Sequence, residues 1–150
     1  MKLKASVILY FALSMNSAFA STLQQNIDEA RTISDYQKRY DYLKAIDKKL
    51  IESASLAEQV SYNVRLIHVH IHLGQFQQAQ TIIDELEAGP KYKKDSPIYS
   101  ELYLAKARLA YRKSDLETAI YLSQQNVALF QRLQLTHYEI DALASLVSAY

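Results

Sequence analysis

The chain reads as an all-α protein assembled from repeated antiparallel helix pairs, and three observations predict it. Glycine and proline number only two each in 150 residues, far fewer than a sheet protein with many hairpins needs. Leu, Ala, Gln, Glu and Lys, all good helix formers, dominate everything after the first twenty residues. Third, a short pattern recurs around three alanines, as Tyr40-Asp41-Tyr42-x-x-Ala45, Gly74-Gln75-Phe76-x-x-Ala79 and Ser114-Asp115-Leu116-x-x-Ala119, with the alanines 34 and then 40 residues apart. A large apolar residue three before a small one puts both on one helical face, where the large side chain packs and the small one admits a neighbouring helix.

The elements follow in order. Lys2 and Lys4, an apolar stretch over 5–15 and Ala18-Phe19-Ala20 form a basic start, an apolar centre and a small-x-small cleavage site, the pattern of a removable export signal over 1–20 with the mature chain starting at Ser21. The apolar stretch is too short for the roughly 20 residues a membrane span needs, and no later segment approaches one. One repeat domain is then expected over 21–150, with first helices at about 23–33, 56–73 and 98–111 and a further one at about 138–150. Second helices carry the apolar stripes Tyr42, Ala45, Ile46, Leu50; Phe76, Ala79, Ile83, Leu86; and Leu116, Ala119, Ile120, Val127, Phe130. Gly74 suits a left-handed helix end, Ala88-Gly89-Pro90 stops a helix, residues 91–96 connect, and Ser96-Pro97 offers a cap and a first-turn proline. The plan is seven helices, three pairs and one unpaired.

A helix pair repeated at this spacing, with Leu73-Gly74-x-Phe76-x-x-Ala79 at the turn and Pro90 closing the unit, resembles the tetratricopeptide repeat. Tyr40 and Ser114 stand where that family usually has glycine, and Lys106 where it has an apolar residue. The resemblance implies an α-solenoid of about three and a half units, the last running through Leu143, Leu146, Val147, Ala149 and Tyr150 and stopping before its turn. A terminal cap should turn a polar face outward and this one is apolar, so a fragment of a longer protein is the expectation.

Lys and Arg number 17 against 16 Asp and Glu; without Lys2 and Lys4 the mature chain is close to neutral, which argues against nucleic acid or an anionic membrane as the main partner. Cysteine is absent, so an exported chain must rely on packing alone, as suits a bacterial periplasm, and no lipid-modified N-terminus follows the signal. His68, His70 and His72 fall on one helix, where His68 and His72 share a face. They lack an intervening Glu and further ligands, so no metal site or cofactor is assigned. The chain carries no glycine-rich phosphate loop, Gly-x-Ser-x-Gly elbow or cysteine nucleophile, and no catalytic residue is assigned. Asp84, Glu85 and Glu87 read as a solvated face, and the tyrosines as packing residues.

In tetratricopeptide stacks the first helix of each pair lines a concave groove, and residues six and two before the turn residue tend to face it. Carried onto this chain unit by unit, the resemblance selects Ser34 and Lys38, His68 and His72, Arg108 and Arg112. Five of these six can be cationic, so the groove is expected to attract an acidic peptide or protein, more strongly as pH falls through about 6.5 if the imidazoles take part. The expectation is an exported, non-enzymatic module that binds a protein or peptide. The alternative is the sensing portion of a longer membrane-bound signalling enzyme, of the diguanylate cyclase or histidine kinase type, with its output domain downstream.

Overall fold

A computed structural model describes residues 22–89 and 96–149; the export signal expected over 1–20, most of the 91–96 connection and Tyr150 lie outside the described residues. Among the described residues the protein is all-helical: α1 Leu23–Thr32, α2 Tyr36–Ala45, α3 Lys48–Ser53, α4 Leu56–His72, α5 Phe76–Ala88, α6 Ser100–Arg112, α7 Leu116–Arg132 and α8 Thr136–Ala149, with a 3₁₀ turn, Pro97–Tyr99, leading into α6.

Helix starts follow side-chain chemistry. Thr22 and Ser55 each form a reciprocal capping box, with Gln25 and Glu58 respectively, satisfying two of the amide groups a helix leaves open at its N-terminus. Asp35, Asp47 and Asp115 cap α2, α3 and α7 through their carboxylates. Ser96 does not act as the expected cap: its side chain makes no cap bond, and Pro97 opens the 3₁₀ turn instead of an α-helix.

Three tight turns share one backbone solution. Gly74, Ser114 and Gln134 have φ of 72°, 63° and 56°. In each turn the next residue's N–H reaches back to close the helix: Gln75 to His70 O at 2.8 Å, Asp115 to Ala110 O at 3.0 Å and Leu135 to Phe130 O at 2.9 Å. This is a Schellman closure, in which one left-handed residue lets the last carbonyls find partners. Glycine adopts that conformation without strain; serine and glutamine do so at a cost.

The first turn, Ile33-Ser34-Asp35, is built differently. Ile33 is extended, with φ −77° and ψ 110°, and Arg39 closes the turn: its Nε donates to Ile33 O at 2.8 Å, its Nη2 donates to the same oxygen, and its guanidinium lies 4.9 Å from the Tyr36 ring centre. Second helices therefore begin at Tyr36, Phe76 and Leu116, 40 residues apart in both steps, and Arg39 holds the place that Ala79 and Ala119 hold later. The sequence register for the first unit is corrected by six residues. Ala45 does not pack at a repeat turn: it ends α2 and is exposed, whereas Ala79 and Ala119 are buried. The single helix expected through Tyr42, Ala45, Ile46 and Leu50 breaks at Ile46, where Asp47 restarts the chain as α3.

Packing runs along the chain. α1, α4, α6 and α8 contact one another in that order, while α2 touches α1 and α4, α5 touches α4 and α6, and α7 touches α6 and α8. One apolar cluster joins Leu23, Ile27 and Ala30 of α1 to Leu43 of α2 and to Tyr62, Leu66 and Val69 of α4. A second uses the other side of α4, through Val60, Val64, Ile67 and Ile71, against Ala79, Ile83, Leu102, Ala105 and Leu109. Buried on two sides, α4 carries apolar residues on both of those faces and leaves Arg65, His68 and His72 for a third. A third cluster joins Leu104, Phe130 and Ala142 of α6, α7 and α8. Of the large residues expected at the turns, Phe76 packs against the α4 cluster, and Tyr42 is half-buried with its hydroxyl shared between Glu29 Oε2 at 2.8 Å and Asn26 Oδ1 at 3.1 Å. Leu116 does not pack as expected and is 47% exposed.

Candidate functional site

The helices that contact one another in succession, α1, α4, α6 and α8, together line a cavity of about 200 Å³. Arg31 comes from α1, Arg65 and His68 from α4, and Glu101 and Arg108 from α6. His137, Tyr138 and Asp141 of α8 complete it. A second cavity of about 270 Å³ continues it between α6 and α8, and Arg108 and Asp141 belong to both.

Glu101 is the hub. Its carboxylate is in contact with Arg65, accepts from Arg31 at 3.3 Å and lies 3.5 Å from the Tyr138 hydroxyl, so one side chain of α6 ties together α1, α4 and α8. Its side chain is 22% exposed and that of Arg65 19%, so the pair is desolvated enough for charge to matter. One donor stays unused: Arg65 Nε is buried without a hydrogen-bond partner.

His68 and Arg108 meet across α4 and α6, with Arg108 Nη1 3.3 Å from His68 Nδ1. A guanidinium can only donate, so that imidazole nitrogen accepts and the ring is neutral. Electrostatics agrees: burial first, then the charges of Arg65 and Arg108, with smaller parts from His72 and Arg39, hold His68 well below the usual imidazole range. His72 is lowered too, by burial, then by Arg112, Arg39 and Arg108, and its ring stacks on Tyr36 with centroids 3.9 Å apart and planes 8° from parallel. Protonation of His68 and His72 is therefore disfavoured relative to a free imidazole.

Among the described residues Arg108 and Arg112 form no ion pair with a carboxylate, and Arg112 sits exposed on the last turn of α6. The first pair of expected groove residues falls at the α1–α2 turn. Ser34 lies exposed in the α1–α2 turn, and Lys38 is exposed in the first turn of α2, where its backbone N–H bonds to Asp35 Oδ1 at 2.9 Å. Counting back from the true turn gives Asp28 and Thr32 instead, and Asp28 pairs with Arg31 at 3.2 Å. The structure thus brings His68 and Arg108 into contact and places His72 and Arg112 one turn beyond them, while Ser34 and Lys38 flank Tyr36, which stacks on His72, and line neither cavity.

Arg65, Glu101, Asp141 and His137 were missed. Two had a signal: Arg65 stands three before His68 and Glu101 seven before Arg108, each continuing the same helical face towards the N-terminus. His70, the third histidine of the run, turns away and is buried, with Nδ1 2.7 Å from Gln75 Oε1 and its ring edge-on to Tyr40. Among the described residues no three His, Cys, Asp or Glu side chains come together as a metal site, and no helix is long and apolar enough to cross a membrane. Comparison with known protein families, characterised proteins and solved structures finds no match.

Proposed function

We propose that this protein is an exported scaffold, an α-solenoid of tetratricopeptide-like antiparallel helix pairs, that binds an acidic peptide or protein along the face made by α1, α4, α6 and α8 and is not an enzyme. The order of helix contacts supports the solenoid, because each second helix rests between its own first helix and the next. So do the matching closures at Gly74, Ser114 and Gln134. The observation that carries the binding role is Arg108. It faces a cavity already holding two other guanidinia, contacts an imidazole instead of a carboxylate, and with its neighbours suppresses protonation of that imidazole. An anionic group is the ligand that would relieve this arrangement.

The test is binding of a fluorescent acidic peptide to the mature chain and to Arg108→Ala and Arg112→Ala. Each replacement should weaken binding at least tenfold while the helical circular dichroism stays intact, and the wild-type affinity should fall with added salt. Undiminished capture by both variants removes the proposal. The export signal is tested separately, by cleavage after Ala20 during secretion.

A second reading draws on the outer face of α8, where Ile140, Leu143 and Val147 are 61%, 42% and 75% exposed at helical spacing. A further helix covering that stripe would continue the stack, as expected if this chain is the sensing portion of a longer membrane-bound signalling enzyme of the diguanylate cyclase or histidine kinase type. The reading frame beyond Tyr150 decides between the two.

A further inference from the structure

The cavity shared by α6 and α8 presents opposite charges that do not satisfy each other. Glu101 is already engaged by Arg31 and Arg65. Among the described residues two charged groups are left: Arg108, whose one polar contact is a neutral imidazole, and Asp141, whose carboxylate accepts no hydrogen bond or ion pair. Both line the same two adjoining cavities, about 200 and 270 Å³, without pairing with one another. The helix itself holds Asp141 in place, since its backbone carbonyl accepts the Ser145 hydroxyl at 2.9 Å and the neighbouring Ala142 is fully buried.

A cation and an anion that face one hollow and fail to meet leave each other's field uncompensated, and a ligand bearing both signs at short separation satisfies both. A ligand with negative charge alone would gain at Arg108 and lose at Asp141. From this geometry we infer that the cavity between α6 and α8 is a binding site for a free α-amino acid, its carboxylate on Arg108 and its ammonium on Asp141. The side chain then extends towards Glu101, Arg65 and His137, a polar environment, so polar amino acids are preferred over apolar ones of similar size. This site shares Arg108 with the acidic-peptide face and rests on the same reading of that residue, but it needs Asp141, whereas the peptide face extends past Arg112.

The experiment uses the mature chain in isothermal calorimetry with L-glutamine and L-glutamate, each beside its N-acetyl and C-terminal amide derivative, and with inorganic phosphate. At least one amino acid should bind, and removing either its ammonium or its carboxylate charge should weaken it tenfold or more, with phosphate weaker still. Asp141→Asn should abolish the preference for the free amino group over the N-acetyl form, and Arg108→Gln the preference for the free carboxylate over the amide; such selective changes in specificity would not come from a merely structural role. Equal binding of the N-acetyl form by the wild type, or no heat from either amino acid at about 10 mM, well above a Kd on the order of 1 mM, overturns the inference. The two readings fail separately: Asp141→Asn strengthens acidic-peptide capture or leaves it in place while removing the amino-acid preference, and Arg112→Ala weakens peptide capture while leaving amino-acid binding in place.

Discussion

Replacing Glu101 with Gln should make the protein less stable and its anion binding tighter. Glu101 holds two guanidinia, one on a side chain only 19% exposed and one on a side chain 43% exposed. Exposed ion pairs contribute about 0–1 kcal/mol, whereas breaking a buried one costs about 3–5 kcal/mol because a charge is stranded. A carboxylate 22% exposed that engages one partner of each kind lies between these limits, so a loss of about 2 kcal/mol is expected. The same change raises the cavity's charge by one unit. An anion about 5 Å from that charge gains roughly 3 kcal/mol at an effective dielectric of about 20. Taking about half of it to survive salt screening gives roughly a tenfold gain in affinity. Urea unfolding followed at 222 nm measures the first effect, with an unchanged slope showing that the folded state is intact, and acidic-peptide titration measures the second. A folded variant that binds the peptide no more tightly than wild type would refute the view that Glu101 offsets a ligand-directed positive field.

Three further outcomes follow from the backbone, the packing and the imidazoles. Ser114→Gly and Gln134→Gly should each stabilise by about 1 kcal/mol by removing left-handed strain. Gly74→Ala should cost a similar amount, because nothing lies within 4 Å of an added Cβ and only the backbone resists; denaturant midpoints report all three. Ala79→Leu and Ala119→Leu should destabilise by about 1–3 kcal/mol through overpacking, while Ala45→Leu stays within about 0.5 kcal/mol, a contrast that checks the corrected register by thermal melting. His68 and His72 bind protons less readily in the folded state than in the unfolded chain, so stability is greatest above about pH 6.5 and declines as pH falls below it towards their depressed values. Urea midpoints between pH 7.5 and 5.5 should show that slope, and His68→Gln should flatten it.

What the sequence could show was decided by the range of each interaction. Gly74, Phe76 and Ala79 were legible because a left-handed residue followed by an apolar-small pair is a local signature, and Ala119 was legible by the same spacing. Ala45 met the spacing by coincidence. The feature that sets the first register is a hydrogen bond from Arg39 to the Ile33 carbonyl, and an arginine six residues after an isoleucine carries no pattern. Ser114 was seen as a departure from glycine, yet it takes the glycine conformation; Gln134, doing the same, gave no sign at all. In the site, His68 with Arg108 was found because both are tied to a turn position. Glu101 draws on Arg65 and Arg31, 36 and 70 residues away, and only packing reveals such a partnership. The shift of the histidines away from ordinary titration also depended on neighbours contributed by other helices.

The substitution of a side chain for a backbone latch at Arg39 gives the molecule two unlike ends. At Gly74, Ser114 and Gln134 the reversal is held by dihedral angles, so parting the helices there means forcing the chain itself through a rotation. Between α1 and α2 a single guanidinium bridges the bend, with Tyr36 beneath it, and swinging that one arm away undoes the closure with every peptide unit left as it was. Arg31, which reaches Glu101, rides on this same hinged helix. The amino-terminal hairpin is thus fastened twice by arginines, by Arg39 across its own bend and by Arg31 to the carboxylate of α6.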